Sequence, residues 1–583
     1  MQKIGIGYEN YKRIIDDDCY YVDKTMLVND LLKKGGMVNL FTRPRRFGKT
    51  LTLSMLRTFF ELEYDRNGNI IDKKPYFAGK KVMQCDESTL SKMGRYPVIS
   101  LSLKPAKQPD FRSAFMKLRE EIIYEFSRHS YLENSSILSE ENKDTFRKIL
   151  NGYSIWSNKV ENISDKNELK EAFLDEVSKY STSIKTLSSL LEKHHSEKVV
   201  ILLDEYDVPL ENAYYNGFYK EMVDFIRSLF ESALKTNDSL EIAVVTGCLR
   251  ISKESIFTGL NNFTVNSVID RQFSESLGFT NDEVSDILES YDLSQKFDEV
   301  KDWYDGYLFG ENEVYNPWSV MKYVYDHRDY PNALAKPYWS NTSSNSIVKD
   351  LIKNADDTTR KELDLLINGG TVEKRVHEDI TYDDIYAEPD NLWNFLFFTG
   401  YMRKVSERKV GNDIFMTMKI PNREIASIYD HQVRLWFENA VRSTDLTDFQ
   451  KAVTSGDTEK METFLNDLLE KTISTFDSSE SFYHGLMLSL LYSVPRYVPK
   501  SNRESGDGRP DIILSPDRPK DPAYIFEFKA RKKFNEMDAG LEEALTQIKD
   551  KNYSEGILED GYIGSHAYGI CFCKKSCIVR LLR

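Results

Sequence analysis

Two groups of residues in this chain have the types and spacing to act on phosphates. The first is FTRPRRFGKTLTL, 41–53, whose Gly48, Lys49 and Thr50 close in the manner of a phosphate-binding loop. Backbone N–H groups at a helix start attract anionic oxygens, the lysine reaches the β- and γ-phosphates, and the hydroxyl sits on Mg2+. The pattern G-x-x-x-x-G-K-[ST] asks for glycine at 43, and this chain has Arg43, followed by Pro44, Arg45 and Arg46. Glycine permits positive φ and close backbone approach, and neither arginine nor proline does so readily. Either Arg45 or Arg46 adds charge near the phosphates, or the loop is distorted and hydrolysis is slow; the sequence leaves both open. ATP would be held by Arg45, Arg46, Phe47 and Gly48, and by Lys49, Thr50 and Leu51 at the helix start. Two strand tips supply the remaining parts. In KVVILLDEYD, 198–207, Asp204 is placed to hold Mg2+ through water and Glu205 to polarise the attacking water. In LEIAVVTG, 240–247, Thr246 is a candidate sensor of the γ-phosphate, and Arg250 follows shortly after.

The second group is RPD at 509–511 with FEFK at 526–529. Residues two apart in a strand face the same way, so Glu527 and Lys529 share one face and Phe526 and Phe528 take the other. With the Asp511 strand alongside, Asp511 and Glu527 converge and offer oxygen ligands to a hard cation such as Mg2+, with Mn2+ as a substitute. Such a cation stabilises charge on a phosphodiester and lowers the pKa of a bound water. Lys529 would orient that water or stabilise the anionic transition state. An E-x-K strand alone is common; the Pro-Asp before it and the helix after it give it weight. That helix carries Gln547, a candidate for positioning substrate or water, and on an earlier helix Glu480 or His484 would complete the site. Arg503, Arg509, Arg531, Lys532 and Lys533 form a basic fringe of the kind that DNA backbone contact needs.

These residues need elements to position them. MVNLF (37–41) reads as a buried strand, and Leu53, Leu56 and Phe60 follow at helical spacing, so Gly-Lys-Thr falls at a strand-to-helix turn. PVISLSL (97–103) is a second strand, and Phe111, Phe115, Leu118, Ile122 and Phe126 mark one face of a long helix. With 198–207 and 240–247, apolar strands alternate with helices, the pattern of a parallel sheet covered on both faces. From about 271 the chain turns helical and aromatic, and 392–441 reads helix, strand, a short turn at Gly411-Asn412-Asp413, strand, helix. That is a winged helix or a packing or lid module. From about 445 helices precede strands at 509–516 and 523–530, a helix at 539–553 and a last strand near 568–573.

Composition sets the outer bounds. With 583 residues the chain is too long for one core, and the expected domains are 1–270, 271–444 and 445–583. A formal charge of −15 neither supports nor excludes a nucleic acid, which would need a local basic patch. No apolar run approaches a membrane span, and MQKIGIGYENYKR lacks the apolar core of a signal peptide. Six scattered cysteines make no disulfide framework, which points to a reduced cytoplasm. CFCKKSC, 571–577, lacks a matching ligand pair for zinc and reads as cysteines in and just after a terminal strand.

YVDKT (21–25), TRPRRFGKT (42–50), LLDEYDVPL (202–210) and TGCLRISKESIFTGLNNF (246–263) together resemble the AAA-ATPase-like family widespread in anaerobic bacteria. WYDGYLFG (303–310), YNPWSV (315–320), YWSNTSSN (338–345) and FFTGY (397–401) extend the resemblance. The TRPRRFGK loop looks like the usual form of that family. YHGLMLSLL (483–491), SNRESGDGRPDIIL (501–514) and FEFK (526–529) resemble the PD-(D/E)XK nuclease domain often fused to it. The resemblance implies an α/β protein: a P-loop NTPase parallel sheet, a helical or winged-helix-like middle and a C-terminal restriction-endonuclease-like domain. It implies Asp511, Glu527 and Lys529 as a nuclease set and Lys49, Thr50, Asp204 and Glu205 as a nucleotide set. The expected activity is an ATPase coupled to a Mg2+-dependent nuclease acting on nucleic acid, DNA before RNA; the sequence does not give the oligomeric state, and rings are an analogy with AAA-like proteins. The alternative is a nucleotide-switched protein whose nuclease fold binds nucleic acid or a partner and cuts nothing.

Overall fold

The structure, a computed structural model, describes residues 1–152, 165–250, 262–339, 348, 357–367, 369–377, 382, 385, 389–429, 445–472, 480–501, 510–518, 520–559 and 561–582. Its contacts fall into two units, Met1–Ser344 with Glu373–Ala426, and Asn345–Val372 with Ser427–Arg583. Both are mixed α/β. No helix among the described residues is long and apolar enough to cross a membrane.

The first unit is built on a parallel sheet of β1 (Val38–Thr42), β2 (Val98–Ser102), β3 (Val199–Asp204), β4 (Leu240–Gly247) and β5 (Phe263–Asn266). The order is β2-β3-β4-β1-β5. Four of these strands are the apolar runs of the sequence. β5 was not expected, because FTVN is short and only partly buried. Phe41, Val98, Val200, Leu202 and Val244 pack with Leu53, Leu56 and Phe60 of helix Lys49–Phe60. Helix Phe111–Arg128 buries Phe115, Leu118, Ile122 and Phe126, while Phe111 stays half-buried.

The aromatic middle region supplies a second layer to the same unit. β6 (Tyr307–Phe309) and β7 (Asn312–Val314) form a hairpin, followed by helix Pro317–Asp329. Tyr291, Tyr304, Tyr315, Tyr323 and Tyr338 share a buried cluster with Val284, Ile287 and Leu288. Further on, helix Pro389–Phe398 leads to a sheet of β8 (Val372–Val376), β9 (Arg403–Val410) and β10 (Asp413–Lys419) in the order β8-β10-β9. The helix and hairpin expected in 392–441 are present, with the turn at 411–412, and β8 adds a strand that the sequence did not signal. The chain turns helical again at 423–429, and the remainder of that expected helix lies outside the described residues.

The second unit carries β11 (Tyr497–Ser501), β12 (Ile512–Pro516), β13 (Ala523–Ala530), β14 (Ser565–Cys573) and β15 (Ser576–Leu582), in that order. Only β13 and β14 pair in parallel. Phe526 and Phe528 pack with residues of helices Thr447–Ser455, Thr458–Thr472 and Glu480–Leu491. Ala523 and Ile525 pack with helix Met537–Asp550, on the side that Glu527 and Lys529 share by alternation. Cys571 and Cys573 are buried in β14, and Cys577 is buried in β15, a strand not read from the sequence.

Two of the central sequence motifs, YNPWSV and YWSNTSSN, meet at one buried carboxyl. Ser319 Oγ donates to both oxygens of Glu424, at 3.0 and 2.8 Å, and the Trp339 N–H donates to it at 2.8 Å. Burial pushes the Glu424 carboxyl up to about 7. Glu424→Ala would leave these donors unanswered in the interior, at a cost of about 3 kcal/mol. The check is the midpoint of the first thermal unfolding transition. Glu424→Gln, which keeps one acceptor oxygen, should lower it less.

Candidate functional site

β1 ends at Thr42, and the chain enters its helix at Lys49. Between them Arg46 takes φ +70° and Gly48 φ +80°, the left-handed region that turns the chain sharply into the helix. Its N-cap residue, Gly48, has no side chain to cap it, and the first-turn N–H groups of Lys49, Thr50 and Leu51 lack intrahelical partners and carry the positive end of its dipole. The parallel register sets Thr42 beside Gly247 and Ser102 beside Asp204, which brings the loop, Asp204 and Thr246 to one edge of the sheet.

There Thr50 Oγ1 donates to one carboxylate oxygen of Asp204 at 2.6 Å, and Thr246 Oγ1 donates to the other at 2.5 Å. Lys49 Nζ donates to the carbonyls of Arg43 at 2.8 Å and Pro44 at 3.0 Å, and lies 3.5 Å from Cys248 Sγ. Glu205 sits at φ +52°, and burial, then the neighbouring Asp204, pushes its carboxyl up. It lines a cleft of about 400 Å³ with Arg45, Gly48, Lys49, Thr50 and Trp318. A second cleft of about 530 Å³ shares Thr50 and opens on Asp204, Ser100 and Ser102. Hydroxyl, carboxylate, ammonium and an uncapped helix start are the donor set that a nucleotide with a hard divalent cation requires.

The loop side chains divide. Arg45 pairs with Glu211. Arg46 lies over the Trp318 ring at 4.7 Å. Phe47 is buried against Tyr307 and Phe309, with ring centroids at 5.0 and 5.1 Å, and Leu51 packs on the core beneath the helix. Both still line the cleft, and Leu51 is half-buried. Arg250 is half-buried beyond β4. Sequence reasoning missed Asp207, whose Oδ2 accepts the N–H groups of Cys248 at 2.7 Å and Leu249 at 3.1 Å and so fixes the turn after Thr246. Its one signal was the last acid of DEYD.

In the second unit the register pairs Ile512 with Phe526, which places Asp511 beside Glu527. Asp511 Oδ2 accepts the Phe528 N–H at 2.8 Å. Lys529 Nζ donates to Gln547 Oε1 at 2.9 Å and lies 3.4 Å from Glu527 Oε1. Among the described residues, Glu527 Oε2 is buried with no hydrogen-bond partner. An orphaned carboxylate oxygen beside a second carboxylate fits a hard cation. Burial, then Asp511, pushes the Glu527 carboxyl up to about 7, and burial also raises Asp511. His484 Nε2 meets the Asp511 carbonyl oxygen at 2.9 Å and so touches its backbone, not its carboxylate. The Glu480 side chain, Arg503 and Arg509 lie outside the described residues. Arg531 pairs with Glu543, while Lys532 and Lys533 are exposed. Tyr553 was not singled out from the sequence; its hydroxyl accepts from Gln547 Nε2 at 3.3 Å, which turns the amide oxygen toward Lys529.

Residues 5–257 match the family model described as Predicted AAA-ATPase, and residues 478–580 match that of the PD-(D/E)XK nuclease superfamily. Over 588 residues the chain is 24% identical to an "Uncharacterized protein in vnfD 5'region" of Azotobacter chroococcum mcd 1, spanning 99% of this chain and 97% of that protein.

The raised Glu527 carboxyl has a signed consequence for stability. The unfolded chain releases this proton near the ordinary glutamate value of 4.5, whereas the native protein keeps it up to about 7. Stability from this group is therefore full below the first value and falls as pH rises through the second. Glu527→Gln should stabilise the protein at pH 8 by about 3 kcal/mol and leave it nearly unchanged at pH 4. Denaturant titrations without divalent cations at the two pH values provide the measurement.

Proposed function

From a chain that carries an AAA-ATPase-like segment and a PD-(D/E)XK nuclease superfamily segment, we infer a nucleotide-regulated nuclease. It binds and hydrolyses ATP at the first site and cleaves phosphodiester bonds, in DNA before RNA, at the second. The observation that carries the reading is the set of Asp511, Glu527 and Lys529 on one sheet, with a carboxylate oxygen of Glu527 left unpaired in the interior.

At the nucleotide site the phosphates take the N–H groups of Gly48 and the first helical turn, and Lys49 turns its ammonium from loop carbonyls to phosphate oxygens. Thr50 and Asp204 would hold Mg2+. Glu205, which lines the cleft beside Lys49 and Thr50, would accept a proton from the attacking water. Thr246, already bound to Asp204, links that carboxylate to the tip of β4.

At the nuclease site Asp511 and Glu527 would hold Mg2+ or Mn2+, which neutralises charge on the scissile phosphate and makes bound water more acidic. The Phe528 N–H fixes the Asp511 carboxylate. Gln547 and Glu527 hold the Lys529 ammonium in place, where its positive charge faces the reacting phosphate. Exposed Lys532 and Lys533 favour a polyanion in a chain that is acidic overall.

The test incubates the purified protein with plasmid and single-stranded DNA, in Mg2+ or Mn2+, with and without ATP, beside Lys529→Ala and Lys49→Ala. Cleavage should vanish in Lys529→Ala and change with ATP or with Lys49→Ala. Cleavage that persists in Lys529→Ala sinks the site assignment. ATP binding without cleavage under any condition would instead establish a nucleotide-switched binding protein.

A further inference from the structure

Arg43 occupies the position where a phosphate loop ordinarily has glycine, and its side chain does not reach toward the cleft. It is fully buried, and its guanidinium donates to three main-chain carbonyls: Thr42 at 2.9 Å, Asn266 at 2.7 Å and Phe273 at 3.2 Å. Those carbonyls belong to the end of β1, the end of β5 and the segment beyond it. The guanidinium also lies over the Phe309 ring at 5.0 Å. The Asp270 carboxylate adds a favourable field, but its own hydrogen bonds go to the N–H and hydroxyl of Ser267. A buried guanidinium answered by carbonyls and a ring face is a structural brace, not an anion ligand.

The rest of the loop rests on the same aromatic surface. Phe47 packs on Tyr307 and Phe309, and Arg46 lies over Trp318. Gly400 sits so close to Pro44 that a Cβ there would come within 2.8 Å of the proline. Four central sequence residues, Phe309, Gly400, Trp318 and Tyr307, thus meet Arg43, Pro44, Arg46 and Phe47 of the loop.

We propose that Arg43 and Phe309 are positioning residues of the nucleotide site: the Arg43 brace on Phe309 holds the loop in its binding shape, in place of the missing glycine. Restoring the ordinary motif with Arg43→Gly should therefore weaken nucleotide binding instead of improving it. A lysine should not substitute, because a single ammonium cannot span carbonyls on separate segments as a planar guanidinium does. A residue acting as a phosphate ligand would behave oppositely, since lysine keeps the charge.

The proposal rests on the nucleotide reading, and the experiment separates the two. Full-length wild type, Arg43→Gly, Arg43→Lys and the milder Phe309→Leu are titrated with a fluorescent ATP analogue in Mg2+, well below each variant's melting temperature. Amide hydrogen exchange is followed over 42–50 and 263–273 in the absence of nucleotide. The expected result is at least about tenfold weaker binding in both Arg43 variants, a smaller loss in Phe309→Leu, and faster exchange in both segments. ATPase kinetics should show the loss mainly in KM. Unchanged exchange in Arg43→Gly overturns the brace, whatever binds. Faster exchange with no nucleotide bound even by wild type upholds the brace and removes the nucleotide reading. Wild-type affinity in Arg43→Lys, or tighter binding in Arg43→Gly, overturns the positioning role. If neither Arg43 variant folds, Phe309→Leu decides by the same two readouts.

Discussion

A carboxylate withdrawn from water must be answered by donors or by a cation, and the two sites meet that demand differently. Asp204, 6% exposed, is answered by two hydroxyls, one from the first helical turn and one from the tip of β4. Those bonds tie the phosphate loop to two strands and close the first site on itself. Glu527, 2% exposed, has one oxygen near the Lys529 ammonium and the other without a partner. Among the described residues, the same constraint is thus met by hydroxyls in one unit and only in part in the other.

The nucleotide loop depends on burial of a different kind. Arg46 at φ +70° carries a left-handed backbone, at a cost of roughly 1–2 kcal/mol for a residue with a Cβ. An arginine over an indole face contributes a comparable attraction when partly desolvated, and Trp318 provides that face. Arg43 loses its hydration and recovers part of it from three carbonyls, while among the described residues its Nε finds no hydrogen-bond partner. A loop that lacks its usual glycine therefore keeps a sharp turn through contacts from outside itself. Its shape is a property of the whole first unit, and neighbouring sequence alone does not set it.

That dependence explains what the sequence disclosed. Apolar runs such as VVILLD and LEIAVV announce buried parallel strands, and alternation in FEFK places Glu527 and Lys529 together without any tertiary information. The convergence of Thr50, Thr246 and Asp204 follows from strand order, for which each strand tip gave one piece. Short or half-exposed strands escaped notice: FTVN in β5, VEKRV in β8 and YVPKS in β11 lack a continuous apolar signal. The central aromatics were visible as motifs, but their role was not, since nothing in WYDGYLFG says that Phe309 lies beneath an arginine far upstream. The two fates weighed for the loop, added charge or distortion, both left out a brace, because a buried guanidinium cannot be told from an exposed one by residue type.

The brace also limits how the loop can respond. Lys49 Nζ holds the carbonyls of Arg43 and Pro44. A phosphate that draws the ammonium away leaves both carbonyls short of a donor inside the protein. Arg43 is seated on Phe309 and Pro44 against Gly400, so neither carbonyl can turn without disturbing the aromatic layer. Close-packed interiors do not deform continuously; they exchange one packing for another. A nucleotide bound at this loop would therefore be coupled by sterics to the packing of β6, Trp318 and Gly400. The middle region is the part of the first unit through which a bound phosphate would be felt.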